Sequence, residues 1–211
     1  AGDRWRAMTL AHPDARRYGE PAEGHLPWTL ATHLDPRADD PAFTFEAFCS
    51  FAAETALPAR DAASFLDAAV EFVNERVFGN LNVTLLVHPA SLRDPGTRAA
   101  LRRAVGNLRY GTVAVNVWGG YGFATGITPW GAYPGNTPTD IRSGVGFIHN
   151  PLMLPDVRKS VLRSPLRPLV PSPALPLFSR HDELSRLLLP LVLRPSPRTA
   201  LALAGPLMRG R

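Results

Sequence analysis

Two short apolar segments, each preceded by a helical pattern, place the strongest limit on how this chain can fold. Residues 82–89 (NVTLLVHP) and 111–118 (GTVAVNVW) are rich in β-branched residues and nearly all apolar. Such runs are typical of strands that are covered on both faces. The segments before them, residues 61–79 and 91–108, show helical spacing of apolar residues. The order helix, strand, helix, strand predicts the α/β fold class.

The two helical segments also carry signals for their ends. Residues 61–79 have Asp61 as a candidate N-cap and Gly79 as a candidate terminator. One face of this helix is apolar, through Phe65, Leu66, Ala69, Val70, Val73 and Val77. In residues 91–108 we expect a loop at Asp94–Gly96 and then an amphipathic helix, whose apolar face contains Leu101, Val105 and Leu108.

The flanking segments give weaker signals. Residues 1–42 predict irregular structure with one strand near LPWTL (26–30), and residues 43–55 begin with the alternation of a strand entering a core. Residues 151–178 contain a proline every few positions, which predicts extended chain that wraps the domain. The last residues, 182–211, predict two short apolar helices split around Pro195–Pro197. We therefore expect one α/β domain at 1–155 and a proline- and leucine-rich extension with short helices at 156–211.

Composition excludes several classes of function. The chain is 45% hydrophobic and 19% charged, as in globular proteins. Its net charge of +5 comes from scattered arginines, and the aromatic residues lie in an arginine-free stretch, so a nucleic-acid partner is not expected. The single cysteine, Cys49, excludes an internal disulfide, and we expect it to be buried and structural. The N-terminus does not read as a signal peptide, so a cytoplasmic location is favoured.

Metal and membrane sites are not favoured either. The six histidines are dispersed without HxH or HxxxH pairs, and His149 is interpreted as a satisfied structural residue. No run of about 18 apolar residues is present, so no membrane span is predicted. An alternative in which the leucine-rich tail anchors the chain to a membrane surface is disfavoured by its prolines.

Four motifs occur in an order that resembles a known family. A glutamate-x-phenylalanine motif is followed by a helix with asparagine before phenylalanine-glycine, then by GTVAVN, and then by a proline-aromatic-glycine turn. In this order they resemble the C-terminal half of the catalytic domain of aldehyde dehydrogenases, over roughly residues 40–150. The matching residues are Glu46, Phe48, Asn74, Phe78, Gly79, Gly111, Thr112, Val113, Val115, Asn116, Pro129, Trp130 and Gly131.

The resemblance implies a three-layer α/β/α piece of a catalytic domain that oxidises an aldehyde substrate to an acid with NAD or NADP, in a homo-oligomer. It implies that Glu46, with Phe48 of the same motif, lies at the cofactor, where the carboxylate holds the nicotinamide ribose. Asn116 would brace the active-site loop. The pocket for the aldehyde would be lined by Asn116, Trp118, Tyr121, Phe123 and Trp130.

The departures from the family are also informative. Cys49 and Ser50 stand where the family has glycine and proline, and Ala132 stands for the second glycine of the turn. No cysteine precedes Cys49, and GYGFATG leads into proline rather than into a helix, so it is not a Rossmann turn. We therefore expect a divergent fragment with no catalytic nucleophile of its own. The nucleophile and the cofactor domain would lie upstream.

Three alternatives remain open at the level of the sequence. Glu46 could be an ordinary carboxylate that pairs with an arginine. The four rings could be core aromatics. The whole chain could be a catalytically inactive α/β module for binding or interaction.

Overall fold

The computed structural model describes residues 1–167 and 181–209, and the chain forms two compact units, Ala1–Arg163 and Ser164–Arg211. The first unit mixes helices with strands in small sheets, which confirms the α/β class at its coarse level. Residues 168–180, where much of the extended proline-rich chain is predicted, lie outside the described residues.

The helices of the first unit are α1 (Gly2–Ala11), α2 (Pro41–Thr44), α3 (Ala62–Glu75), α4 (Pro95–Asn107) and α5 (Tyr121–Ala124), and a 3-10 turn spans Ser91–Arg93. The strands are β1 (Arg16–Tyr18), β2 (Trp28–Leu34), β3 (Phe51–Thr55), β4 (Asn82–Leu85), β5 (Thr112–Val115), β6 (Trp130–Gly131), β7 (Phe147–Ile148) and β8 (Ser160–Arg163). They form three sheets, in the orders β1-β2-β3, β4-β5-β8 and β6-β7.

The central sheet is parallel, with β5 between β4 and β8. Every residue of β5 is buried, as predicted for a strand covered on both faces. The same prediction is wrong for β4, whose Asn82 and Thr84 are exposed while Val83 and Leu85 are half-buried. Among the described strands β4 lies at the edge of its sheet, so it alternates between a core face and an open face.

The core lies between one face of this sheet and the two long helices. Leu66 of α3 and Leu101 and Val105 of α4 pack against Val113 and other residues of β5. Full burial of one such side chain stabilises the fold by about 1.5–3 kcal/mol. The helices predicted here are thus confirmed. However, α4 already begins at Pro95, within the expected loop.

The N-cap of α3 is also confirmed. The Asp61 carboxylate accepts a hydrogen bond from the Ser64 backbone N–H at 2.7 Å, and the Ser64 hydroxyl oxygen accepts one from the Asp61 backbone N–H. The helix ends at Glu75, earlier than predicted. Gly79, with φ of 95°, instead shapes the turn that follows.

The first 55 residues differ most from the sequence expectation. Residues 2–11 form a helix rather than irregular chain, and Trp5 of that helix donates its indole N–H to the Thr29 hydroxyl at 2.9 Å. The strand predicted near residues 26–30 is confirmed as β2. The strand expected from residue 43 is wrong, because Asp40 caps a short helix that begins at Pro41, and the chain becomes a strand only at Phe51.

Strand β8 was not predicted, since its sequence lies among prolines. It is preceded by Lys159, whose Nζ donates to the carbonyl oxygens of Val105 at 3.1 Å, Gly106 at 2.8 Å and Leu108. These are carbonyls at the end of α4, which have no partner inside the helix. Lys159 therefore ties the C-terminus of α4 to the start of β8.

The described residues of the second unit form the helices α6 (His181–Leu193) and α7 (Pro197–Arg209), which confirms the prediction of helices on either side of Pro195. Leu203 packs against Leu187 and Leu191. Within the described residues, no helix is long and apolar enough to cross a membrane.

Candidate functional site

The candidate site begins where the two neighbouring strands β4 and β5 end. Asn116 directly follows β5 and has a left-handed backbone, with φ of 59°. Its Oδ1 accepts the Val87 backbone N–H at 2.7 Å, and its Nδ2 donates to the Val87 carbonyl at 3.0 Å. The Asn116 side-chain amide therefore takes the place of a backbone hydrogen-bond partner for Val87. It joins the chain after β4 to the chain after β5. This contact fixes the point at which the following loop leaves the sheet.

The loop of residues 118–130, called the aromatic loop below, lies against the face of the sheet opposite the helices. The Gly119 N–H donates to the Thr84 hydroxyl at 3.1 Å. A Cβ atom on Gly122 would lie 3.1 Å from the Thr112 hydroxyl oxygen. Thr112 is fully buried, and its Oγ1 has no hydrogen-bond partner in the described structure. The loop thus contacts the sheet through its backbone, with little room for side chains beneath it.

The four rings of this loop form two edge-to-face pairs. The ring centroids of Trp118 and Tyr121 are 6.3 Å apart, and those of Phe123 and Trp130 are 5.9 Å apart. Trp118 is 59% exposed and Phe123 is 52% exposed, while Tyr121 and Trp130 are half-buried. None of the four is fully buried, unlike the core aromatics Trp5 and Tyr110. The loop therefore presents ring faces to solvent.

Two glycines of the sequence motifs hold the aromatic loop in place by direct backbone contact. A Cβ atom on Gly111, at the start of β5, would lie 1.7 Å from the carbonyl oxygen of Gly131. Gly131 belongs to β6, and a Cβ atom there would lie 2.1 Å from the carbonyl oxygen of Gly146. Three segments therefore stack backbone to backbone. This stacking positions the β6-β7 hairpin, and with it Trp130, against the central strand.

His149 follows this hairpin directly and faces the aromatic loop. Its ring centroid lies 4.9 Å from that of Phe123, and its φ is 54°. Its Nδ1 is sealed from solvent and has no hydrogen-bond partner among the described residues. The interpretation of His149 as a satisfied structural histidine is therefore wrong. The sequence signal that could have drawn attention to it is its position right after an apolar strand, beside the rings.

Glu46 and Phe48 lie in the loop between α2 and β3. The Glu46 side chain is exposed and lines a cavity of about 360 Å³, called the Glu46 cavity below, whose polar wall includes Asn80, Asn82 and Ser143. Glu46 has no ion-pair partner within residues 1–167 and the described part of 181–209. Glu46 is thus not paired with any arginine of the described residues.

Phe48 is 75% exposed and has a left-handed backbone, with φ of 47°. The guanidinium of Arg4 lies 5.7 Å from the centre of its ring. A large apolar side chain in this backbone conformation is uncommon and costs free energy. Its exposure shows that packing in the core does not compensate for that cost.

Asn82 connects the Glu46 cavity to the aromatic loop. It lines the cavity, and a Cβ atom on Gly119 would lie 2.6 Å from its Oδ1. Glu46 and the aromatic loop are therefore brought to neighbouring parts of the first unit, on either side of this asparagine, whereas Phe48 does not line the cavity. Their roles remain predictions.

One polar pair in the N-terminal part was not found from the sequence. His12 is buried, with Nδ1 2.8 Å from the Met8 carbonyl and Nε2 2.9 Å from the Asp40 carboxylate. Since both ring nitrogens have partners, this pair is a structural link between α1 and α2. No local pattern indicates it, because 28 residues separate the two side chains.

Other candidate chemistry is weak in the described residues. Cys49 is half-buried rather than buried as expected. No group of three or more histidine, cysteine, aspartate or glutamate side chains in residues 1–167 and 181–209 could hold a metal ion.

The fold and the site together define a mixed α/β protein whose central parallel strand ends at an aromatic loop. No protein-family model, no curated protein and no solved structure matches the chain.

Proposed function

We propose that this chain is the C-terminal part of the catalytic domain of an aldehyde dehydrogenase-like oxidoreductase, which oxidises an aldehyde to an acid with NAD or NADP. The aromatic loop forms the substrate pocket, and Glu46 with Phe48 contributes to the cofactor site. The nucleophilic cysteine and the Rossmann domain come from polypeptide outside residues 1–211. The complete protein is a cytoplasmic homo-oligomer.

The observation that carries the proposal is the position of the aromatic loop. It leaves the central strand of a parallel sheet at its carboxyl end, where ligands of open α/β sheets bind, and then runs back over one face of the sheet, with Gly122 beside Thr112 at the start of β5. Asn116 supports the loop there through both polar groups of Val87. Rings with exposed faces suit an apolar aldehyde, because aromatic side chains supply large contact areas in ligand pockets.

The Glu46 cavity supports the cofactor part of the proposal. An ionised carboxylate accepts two hydroxyl donors at once, which is what the two hydroxyls of a ribose require. Glu46 is exposed and unpaired within the described structure, so its oxygens are available to such a ligand. At about 360 Å³ the cavity has room for the ribose and its neighbouring groups rather than for a whole dinucleotide. Bound NAD or NADP would supply the hydride acceptor.

In this proposal the chain's own residues bind and orient. Trp130 and Phe123 hold the apolar body of the aldehyde, and Asn116 keeps the loop at its fixed distance from the sheet. A thiolate from outside the chain attacks the carbonyl carbon to give a thiohemiacetal. Bound NAD or NADP would accept the hydride of this thiohemiacetal, and water hydrolyses the resulting thioester to the acid. Covalent chemistry therefore needs polypeptide that residues 1–211 do not contain.

The cofactor role is tested by titrating the purified chain with NADH and following the nucleotide fluorescence. We expect weak binding that Glu46→Gln reduces by about tenfold, because the amide oxygen accepts only one, neutral hydrogen bond and the amide NH2 group cannot accept the second hydroxyl. The matched control is Glu71→Gln, an exposed glutamate on α3. Equal affinity in the wild type and Glu46→Gln would remove Glu46 from the cofactor site.

Turnover gives a second test. The purified chain with NAD and benzaldehyde should form no NADH, whereas the polypeptide extended upstream through a cysteine and a Rossmann turn should do so. NADH formation by residues 1–211 alone would contradict the assignment of the nucleophile. Absence of turnover in an extended protein that contains both elements would contradict the dehydrogenase itself.

The exposure of Trp118 and Phe123 favours one other candidate, a catalytically inactive module that binds a partner through these rings. The reading frame upstream of Ala1 separates the two functions. A cysteine in a glycine-glutamine-x-cysteine context, with a Rossmann turn before it, supports the enzyme, and a frame without them supports the binding module.

A further inference from the structure

His149 combines three features that an ordinary structural histidine does not have together. Its Nδ1 is sealed without a partner, its backbone is left-handed, and its ring lies against Phe123 of the aromatic loop. A buried polar atom without a partner costs about 1–3 kcal/mol, and a left-handed backbone adds to that cost. The fold places this side chain at the rings despite both costs.

The surroundings of His149 determine which ring nitrogen carries the proton. A proton on Nδ1 would bury an N–H donor without an acceptor, and orphaned buried N–H groups are rare in native proteins. Of the two tautomers, the one that carries its proton on Nε2 is therefore favoured. The Nε2–H group is the donor that His149 can offer to a ligand.

We propose that His149 is a specificity-determining residue of the aromatic pocket, and that its Nε2–H donates a hydrogen bond to an oxygen on the body of an aromatic aldehyde. The proposal rests on the proposed function, because it names the substrate class of the same pocket. The preferred substrates are benzaldehydes that carry a ring hydroxyl or a similar oxygen acceptor.

Two observations favour an aromatic body with an oxygen. Phe123 is 52% exposed and Trp130 is half-buried, so part of the surface of this ring pair is open to a planar ligand. His149 lies beside Phe123, so a ligand that stacks on the pair comes within reach of the imidazole. The reacting carbonyl must face a nucleophile from outside the chain, so the oxygen that meets His149 is the one on the ring.

The test measures binding of the two acid products, 4-hydroxybenzoate and benzoate, to the full 211-residue chain by quenching of tryptophan fluorescence. His149→Phe keeps a ring beside Phe123 and removes the donor. We expect it to weaken binding of 4-hydroxybenzoate by about five- to tenfold and to change binding of benzoate by less than twofold. His25→Phe makes the same change at an exposed loop position and should alter neither affinity.

A second variant keeps the test valid if phenylalanine does not tolerate the backbone of residue 149. His149→Asn suits a left-handed conformation and also removes the imidazole, so it should show the same selective loss. In the wild type, the ¹⁵N chemical shifts of the His149 ring should report protonated Nε2 and unprotonated Nδ1 at neutral pH.

The proposal is overturned if the wild type binds neither acid, if both variants bind 4-hydroxybenzoate as tightly as the wild type, or if they lose both acids equally. Its failure is distinguishable from failure of the dehydrogenase. One outcome is that His149→Phe selectively weakens binding of 4-hydroxybenzoate while Glu46→Gln leaves NADH affinity unchanged. That outcome would support the aromatic pocket and contradict the cofactor site. The reverse result would contradict only the role of His149.

Discussion

Lys159 offers the sharpest test of how the first unit is held together. It is the only lysine in a chain with 23 lysine and arginine residues, and its Nζ donates to three carbonyls at the end of α4. An ammonium directs three donors toward converging oxygens, whereas the planar guanidinium of arginine directs its donors in one plane. We therefore predict that Lys159→Met and Lys159→Arg both destabilise the fold.

The magnitude follows from the three hydrogen bonds. Hydrogen bonds to charged groups contribute about 1.5–3 kcal/mol each when fully formed. Burial opposes them here, since desolvation lowers the pKa of the Lys159 ammonium from its ordinary value of 10.5. The side chain is also only half-buried, so water can replace part of each bond. About 1 kcal/mol per bond, or about 3 kcal/mol in total, is the expected loss for Lys159→Met. Lys159→Arg should lose about half as much.

Urea unfolding followed by tryptophan fluorescence measures this loss in the right part of the chain, because all four tryptophans lie in Ala1–Arg163. With a slope of about 2 kcal/mol per molar urea, Lys159→Met should lower the unfolding midpoint by about 1.5 M. The control is Arg158→Met, which removes the same charge from the neighbouring exposed side chain and should change stability by less than about 0.5 kcal/mol. Equal midpoints for the two variants would refute the reasoning.

Three further predictions concern the site and its supporting helices. Asn116→Ala should lose about 2–4 kcal/mol in the same assay, because Val87 loses both partners and alanine must hold φ of 59°. Asn116→Gly also removes the amide but tolerates the left-handed backbone, so it should be about 1 kcal/mol more stable than Asn116→Ala. Equal losses in the two variants would contradict the contribution of backbone strain. Gly111→Ala should fail to fold, or should melt far below the wild type by circular dichroism, because its Cβ would lie 1.7 Å from a carbonyl oxygen. The control is Gly106→Ala, which lies in open space on α4 and should stabilise the fold slightly. The Thr97 backbone N–H and hydroxyl hold the pKa of the Asp94 carboxyl below its ordinary value of 3.8. The contribution of the Asp94 carboxylate to stability is therefore fully present above pH 3.8. It is lost as the pH falls through the lower pKa that this carboxyl has in the folded protein. Asp94→Asn, which still accepts the cap hydrogen bond but does not titrate, should lose less stability than the wild type between about pH 4 and pH 2, and identical acid profiles would contradict the assignment.

Local patterns were sufficient to predict the elements whose stability depends on neighbours in sequence. Helices α3 and α4 have apolar residues at helical spacing and an aspartate that caps the first turn, at Asp61 and Asp94. Strand β5 is a β-branched run, and its burial on both faces agrees with its composition. Each of these signals lies within about 15 residues of the element that it predicts.

The elements that were missed depend on partners far away in sequence. Helix α1 has a polar, arginine-rich sequence, and its helical state is supported by Trp5, which bonds to Thr29 on β2. Strand β8 is a short run among prolines, and it becomes a strand because it pairs with the edge of β5. The exposure of one face of β4 could not be predicted either, because it depends on the strand order.

The motifs drew attention to particular residues, whose roles remain predictions, but not to how the fold brings them together. The motifs indicated Glu46, Asn116 and the rings, while the link through Asn82 and the orphaned nitrogen of His149 required the fold. In the sequence, the motif glycines indicate flexible turns. In the structure, Gly111 is required because a backbone carbonyl occupies the space of its side chain.

The same contacts explain why large rings follow a buried strand on a glycine-rich backbone. Gly119 and Gly122 lie close to the polar face of the sheet. A Cβ atom on Gly119 would lie 2.6 Å from the Asn82 Oδ1, and one on Gly122 would lie 3.1 Å from the Thr112 hydroxyl oxygen, so both positions are tight for a side chain. Residues between and beside these glycines must therefore direct their side chains away from the sheet. Trp118 and Phe123 beside them are exposed and Tyr121 is half-buried, so the loop presents aromatic rings to solvent over this face of the sheet. An alternation of glycine and aromatic residues after a buried strand thus has a steric consequence, which is an outward-facing aromatic surface that a ligand can reach.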